Sequence, residues 1–143
     1  MHWHFLPFER YDLLDRKGRS IVRDHKSGFC LGDRFPHATW VDRAPARFPA
    51  GACQRGNRAA TTVFGGTSVG WTDRYFPNYH GQNLKLAGVP AGVYTLVHRV
   101  NPDLLFWESR YDNNAASVRI RLTWRKGKPR VTTLRVCESA PRC

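Results

Sequence analysis

The chain has 143 residues, enough for a domain with a real hydrophobic core. Its 23 Lys and Arg against 11 Asp and Glu leave a formal charge of +12, which favours anionic partners such as nucleic acid, wall polymer or acidic protein. No apolar run approaches the roughly 18 residues that span a bilayer, and residues 1–15 carry charges and histidines where a signal peptide would be apolar.

The first five residues, MHWHF, alternate His2 and His4. On a β-strand, alternating side chains share a face, so a strand here would point both imidazoles at one ion. A useful transition-metal site usually needs a third ligand, whose natural place is one step upstream of His2; His25, His80 and His98 are the candidates if it comes from elsewhere. Next, YDLLD and RSIVRD flank the turn DRKG and predict a hairpin. The segment HKSGFCLGD (25–33) predicts a strand over 25–31, with Lys26, Gly28 and Cys30 on one face. Residues 32–67 follow with Pro, Gly, Arg and Ala but almost no periodicity. A loop of that length in a compact domain is usually functional or disordered.

Strong period-two patterns fill the second half. GVYTLVHRV (92–100) places Tyr94, Leu96, His98 and Val100 on one side, and AASVRIRLTW (115–124) sets Val118, Ile120, Leu122 and Trp124 against Arg119, Arg121 and Thr123. PRVTTLRVC (129–137) is joined to the latter by RKGK, whose Gly127 can adopt a positive φ. No internal repeat or second domain is evident. The expectation is all-β: an antiparallel β-sandwich with long irregular loops, in one domain over residues 1–143. The four cysteines permit three pairings and include no C-x-x-C, so zinc spacing is absent. Local logic favours Cys137–Cys143 closing the tail and Cys30–Cys53 pinning the loop, which points to an oxidising compartment. The basic residues are scattered along the chain without a nucleic-acid motif, so a solvated basic face is expected and no specific nucleic-acid partner.

Four stretches in order resemble the catalytic domain of the lysyl oxidases, in a bacterial version. HWHF with RYDLLD resembles the end of the family's H-x-H-x-H copper motif and the strand after it. HKSGFCLGD resembles the segment bearing the cofactor-forming lysine, and GTSVGWTDRYFPNYHGQ (66–82) the one bearing the cofactor-forming tyrosine. VPAGVYTLVHRVNPDLLFWESRYDNNAASVRIRLTW (89–124) resembles the closing pair of strands, a pattern that also suits non-catalytic adhesion modules. The family's first copper histidine would fall one position before Met1, so the resemblance implies a start lying further upstream.

The resemblance implies a copper- and lysine tyrosylquinone-dependent amine oxidase. Its copper ligands would include His2 and His4, and its cofactor would form from Tyr75 and Lys26. It would convert a primary amine, peptidyl lysine or a small amine, to an aldehyde with molecular oxygen, releasing hydrogen peroxide and ammonia. Such a protein is expected to be secreted and monomeric. Strand 25–31 would have to lie against segment 70–76 for Lys26 to meet Tyr75. Taken singly the residues say less: a lysine is ordinarily a solvated charge, and a tyrosine in an aromatic stretch ordinarily packs. Asp73 is the carboxylate nearest Tyr75 in sequence, a base or a turn residue. The alternative is a catalytically inactive β-sandwich serving as a cell-surface binding module.

Overall fold

The computed structural model describes residues 1–143 apart from 25–27, Pro77, His80, Gln82 and Ser109. The chain divides into two compact units: Met1–Leu6 with Gly28–Tyr79, and Pro7–Ser27 with His80–Cys143. Each is described by itself. The described residues form no helix; the strands are antiparallel, and the protein is all-β.

In the second unit, β1 (Glu9–Leu14), β2 (Ser20–Arg23), β5 (Gly92–Val100), β6 (Ala115–Arg125) and β7 (Lys128–Cys137) form one sheet in the order β2-β1-β5-β6-β7. The expected hairpins are present. The first turns through residues 15–19, where the Asp15 carboxylate accepts the Lys17 and Arg19 amides at 2.8 and 2.9 Å. The β6–β7 turn leaves only Lys126 and Gly127 between the paired Arg125 and Lys128. Both have positive φ, 49° and 71°, the mirror-image turn whose twist matches the flanking strands.

Alternation decides which face is buried. Leu13, Val89, Ile120 and Leu122 form the core, with Val22, Leu84, Leu86, Tyr94, Leu96 and Val118 packed against them. On the opposite face the cross-strand row Asp12–Val97–Ser117 is also buried. There Asp12 is ringed by Arg10, Arg23 and Arg99 at 3.2, 2.9 and 3.3 Å. Burial alone would raise the Asp12 carboxyl, but hydrogen bonds from Ser20 and Arg23 and the arginine charges outweigh it and lower its pKa.

The first unit is mostly irregular. Its regular pairing is β3 (Phe35–Pro36) with β4 (Trp71–Thr72) and an isolated bridge between Phe5 and Phe29. Side chains supply the order that strands do not. Asp33 accepts the Ser68 amide at 2.6 Å, the Ser68 hydroxyl at 2.7 Å, and the Arg47 and Phe48 amides at 2.7 and 3.1 Å. One carboxylate thus ties three parts of the long loop together. Desolvation pushes its pKa up, yet these hydrogen bonds dominate and hold it at about 2. Cys30–Cys53 and Cys137–Cys143 are both bonded, as expected, and among the described residues no cysteine is free.

Candidate functional site

Residues 1–5 run beside the Cys30–Cys53 disulfide. Gly56 donates its amide to the Met1 carbonyl at 3.0 Å, Trp3 donates its own to the Cys53 carbonyl at 3.0 Å, and Phe5 and Phe29 exchange both backbone bonds. The expectation of a strand carrying His2 and His4 is not met: residues 1–4 belong to no strand. The partner backbone is the reason. At Cys53 and Gln54 it turns through φ of 26° and 53°, so it offers isolated acceptors and no repeating ladder. Extension is kept all the same, because alternate residues 1, 3 and 5 make these bonds.

The imidazoles converge. His2 and His4 are exposed, their ring centroids are 4.8 Å apart, and their Nε2 atoms lie 2.9 Å apart, one donating and the other accepting. Imidazole–metal bonds are about 2 Å, so nitrogens this close would subtend about 90° at one shared ion. The donor pair therefore fits part of a copper site. Among the described residues no group of three His, Cys, Asp or Glu stands ready to hold a metal. His25 and His80 lie outside the described residues, and His98 in the second unit is 2.9 Å from the Glu9 carboxylate. A cavity of about 260 Å³ lined by Met1, His2, Trp3 and Arg58 adjoins the pair.

Tyr75 belongs to the same unit and is firmly placed. Its hydroxyl donates to the Cys30 carbonyl at 3.0 Å, and its ring meets Phe29 edge-on at 4.5 Å and Tyr79 at 6.2 Å. Arg34 sits 5.5 Å from the ring centroid. Burial, then the nearby Asp73 charge, raises the phenol's pKa against the opposing pull of Arg34, so the phenol stays protonated and able to donate. Asp73 resolves into a structural group: one oxygen accepts Arg34 at 2.8 Å, the other the Gly32 amide at 3.0 Å. Its side chain is only 3% exposed, which suits holding the loop better than taking a substrate proton. Gly32 must be glycine, since a Cβ there would stand 2.5 Å from the Ala50 Cα.

Residues 29–32 therefore lie against 73–75 through the Tyr75–Cys30 and Gly32–Asp73 hydrogen bonds; of the expected strand 25–31, residues 25–27 lie outside the described residues, and Phe29 makes a single bridge with Phe5. Lys26, the expected crosslinking amine, lies outside the described residues. The sequence offered no signal for Arg34, whose role depends on a chain closure spanning 39 residues.

Fold and site define a disulfide-bonded, all-β protein with a convergent imidazole pair and a half-buried, anchored tyrosine. Comparison with known sequences names the group: the family described as Lysyl oxidase matches residues 1–132, and the chain belongs to that family. Human "Lysyl oxidase homolog 1" is 31% identical over 129 residues, which is 87% of this chain and 20% of the human protein. Rat and pig "Protein-lysine 6-oxidase" are each 32% identical over 127 residues, 85% of this chain and 27% and 44% of those proteins. The chain thus spans less than half the length of each of these relatives.

Proposed function

We propose that the chain acts as one catalytic domain of a secreted copper amine oxidase that converts primary amines to aldehydes, consuming oxygen and releasing hydrogen peroxide and ammonia. His2 and His4 would hold the copper, and Tyr75 with Lys26 would form lysine tyrosylquinone. Bound, these groups would supply the two-electron sink that no unmodified side chain provides. The observation that carries the reading is the anchoring of Tyr75: a half-buried tyrosine needs only one partner, whereas this ring is fixed by Cys30, Phe29 and Arg34 together. The chain's own residues then have defined tasks. Cys30 and Phe29 fix the ring's orientation, and Arg34 is locked in place by Asp73. The two disulfides support an oxidising compartment. A charge of +12 repels lysine-rich polymers, so a small amine, or a lysine on a neutral or acidic chain, is the better substrate.

The test is aerobic loading of the purified protein with Cu(II), followed by quinone absorbance and peroxide release from a simple primary amine. Tyr75→Phe and Lys26→Arg should each abolish both signals, and His2→Ala should weaken copper binding at least about tenfold. Persistence of amine oxidation in either cofactor variant, or failure of the copper-loaded parent to give either signal, would refute the proposal.

A further inference from the structure

The basic residues look scattered in sequence, but the sheet gathers them. Between Asp112 and Glu138 the chain has no carboxylate, and it carries Arg119, Arg121, Arg125, Lys126, Lys128, Arg130 and Arg135. Alternation sends Val118, Ile120 and Leu122 to the core side of β6, so Arg119, Arg121 and Arg125 project from the other. The register sets Arg135 opposite Arg119 and Lys128 opposite Arg125, two like-charge cross-strand pairs, with Arg130 opposite Thr123. Such pairs weaken a sheet. Among the described residues, ion pairs engage Arg10, Arg19, Arg23, Arg34, Arg99 and Arg110, and none engages a cation of the β6–β7 hairpin. Protection of an exposed sheet edge accounts for Lys128, Pro129 and Arg130 on the edge strand β7. It does not account for Arg119 and Arg121, whose strand is paired on both sides.

The row leads into a cavity. About 450 Å³ of space is lined by Arg16, Lys17, Arg119 and Arg142, beside Gly18 of the β1–β2 turn and Cys143 of the tail. The Asp15 carboxylate at its rim is engaged by Arg19 at 2.8 Å and by two turn amides. The Cys137–Cys143 disulfide holds the tail that carries Arg142. Gly18, at φ +80°, leaves room for that guanidinium, which would come within 3.0 Å of a Cβ there.

We propose that this face binds a sulfated polysaccharide, with one sulfate in the cavity between Arg16, Lys17, Arg119 and Arg142 and the polymer running along β6 and β7. Guanidinium forks match sulfate oxygens bidentately. Residues two apart on a strand recur about every 6.7 Å, so the charges repeat as a linear polyanion's do. Nucleic acid fits less well. The one aromatic of β6 and β7, Trp124, lies on the other face with its indole donating to the Val89 carbonyl at 2.9 Å, so these strands offer the cationic face no stacking platform. The disulfides place the face in oxidising surroundings. This inference is independent of the amine oxidase assignment.

The probe is dextran sulfate, with uncharged dextran and duplex DNA as comparators, at about 0.15 M salt. Three proteins are compared: the parent, Arg119→Ser/Arg121→Ser/Arg135→Ser, and a charge-matched control outside the hairpin, turn and tail, Arg43→Ser/Arg58→Ser/Lys85→Ser. The face variant should lose at least about tenfold in affinity and show a shallower salt dependence, whereas the control should lose under about threefold. Arg16→Ser/Arg142→Ser, on the turn and tail outside the sheet, should also lose at least about fivefold, and tests the site should the triple variant fail to fold. Equal losses in face and control variants, tighter binding of DNA than of dextran sulfate, or no binding by the parent would each overturn the proposal.

Discussion

Replacing Cys30 and Cys53 together by Ala removes a crosslink closing a 23-residue segment. The chain-entropy relation gives about 3.4 kcal/mol for a closure of that length. The sulfurs are also buried, each residue only 1% exposed, and losing their packing adds about 1 kcal/mol. A total of about 4 kcal/mol is a large share of the 5–15 kcal/mol typical of a folded domain. The Cys137–Cys143 closure spans only 6 residues, for which the same relation gives about 2.2 kcal/mol. Because the disulfides lie in different units, peptide-resolved hydrogen exchange in rising urea is the suitable assay. Cys30→Ala/Cys53→Ala should release residues 29–60 at lower urea, by more than Cys137→Ala/Cys143→Ala releases the tail. The Tyr75 phenol should respond as well, since its acceptor is the Cys30 carbonyl and its raised pKa stems first from burial. Loosening residue 30 should lower that pKa toward the ordinary tyrosine range, read by NMR of labelled tyrosine. A smaller stability loss for the 30–53 pair than for the tail pair would refute the loop-closure reasoning. An unmoved Tyr75 titration would refute the claim that this disulfide holds the ring.

Two further outcomes follow from the two carboxylates that order the first unit, Asp33 and Asp73. Asp33 titrates at about 2 in the folded protein, below the unfolded value of about 3.9. Its contribution is therefore fully present above about pH 4 and is lost as pH falls toward 2. Amide exchange at Phe48 and Ser68 should rise through that window in the parent, and in Asp33→Asn it should already be fast at neutral pH; a flat profile in the parent would contradict the assignment. Arg34→Met leaves the nearly buried Asp73 carboxylate without its cation and should cost about 3 kcal/mol, much of it recovered by adding Asp73→Asn. A single-variant loss under about 1 kcal/mol in urea denaturation would place the pair among ordinary surface bridges.

The second unit was legible because its strands are buried on a regular face. GVYTLVHRV coincides with β5, Gly92–Val100, and AASVRIRLTW falls one residue short of β6, Ala115–Arg125. A half-buried strand must alternate, and the alternation is visible in one dimension. Residues 1–6 and 28–79 carry no such imprint. Their order comes from one carboxylate meeting Ser68, Arg47 and Phe48, and from Asp73 meeting Arg34 and Gly32. These are point contacts between distant positions, and a sequence records the polar residue without recording its partner. The same limit hid the cationic face: Arg119 and Arg135 are 16 positions apart, yet directly opposed across the hairpin.

The imidazole pair shows where pattern and physics part. The H-x-H spacing suggests convergence through a strand, and convergence occurs at 2.9 Å without one. A strand is sufficient to place alternate side chains together but is not required. Any extended backbone does so, provided its odd-numbered groups are held. Here the Met1 carbonyl, the Trp3 amide and the Phe5 bridge hold them, against acceptors and donors supplied by Gly56, Cys53 and Phe29. Two of those three partners flank the disulfide that also sets the Tyr75 acceptor, because Phe29 precedes Cys30 and Cys53 closes the bond. The histidines and the tyrosine are therefore positioned by one covalent anchor, so a change that frees residue 53 should disturb both at once.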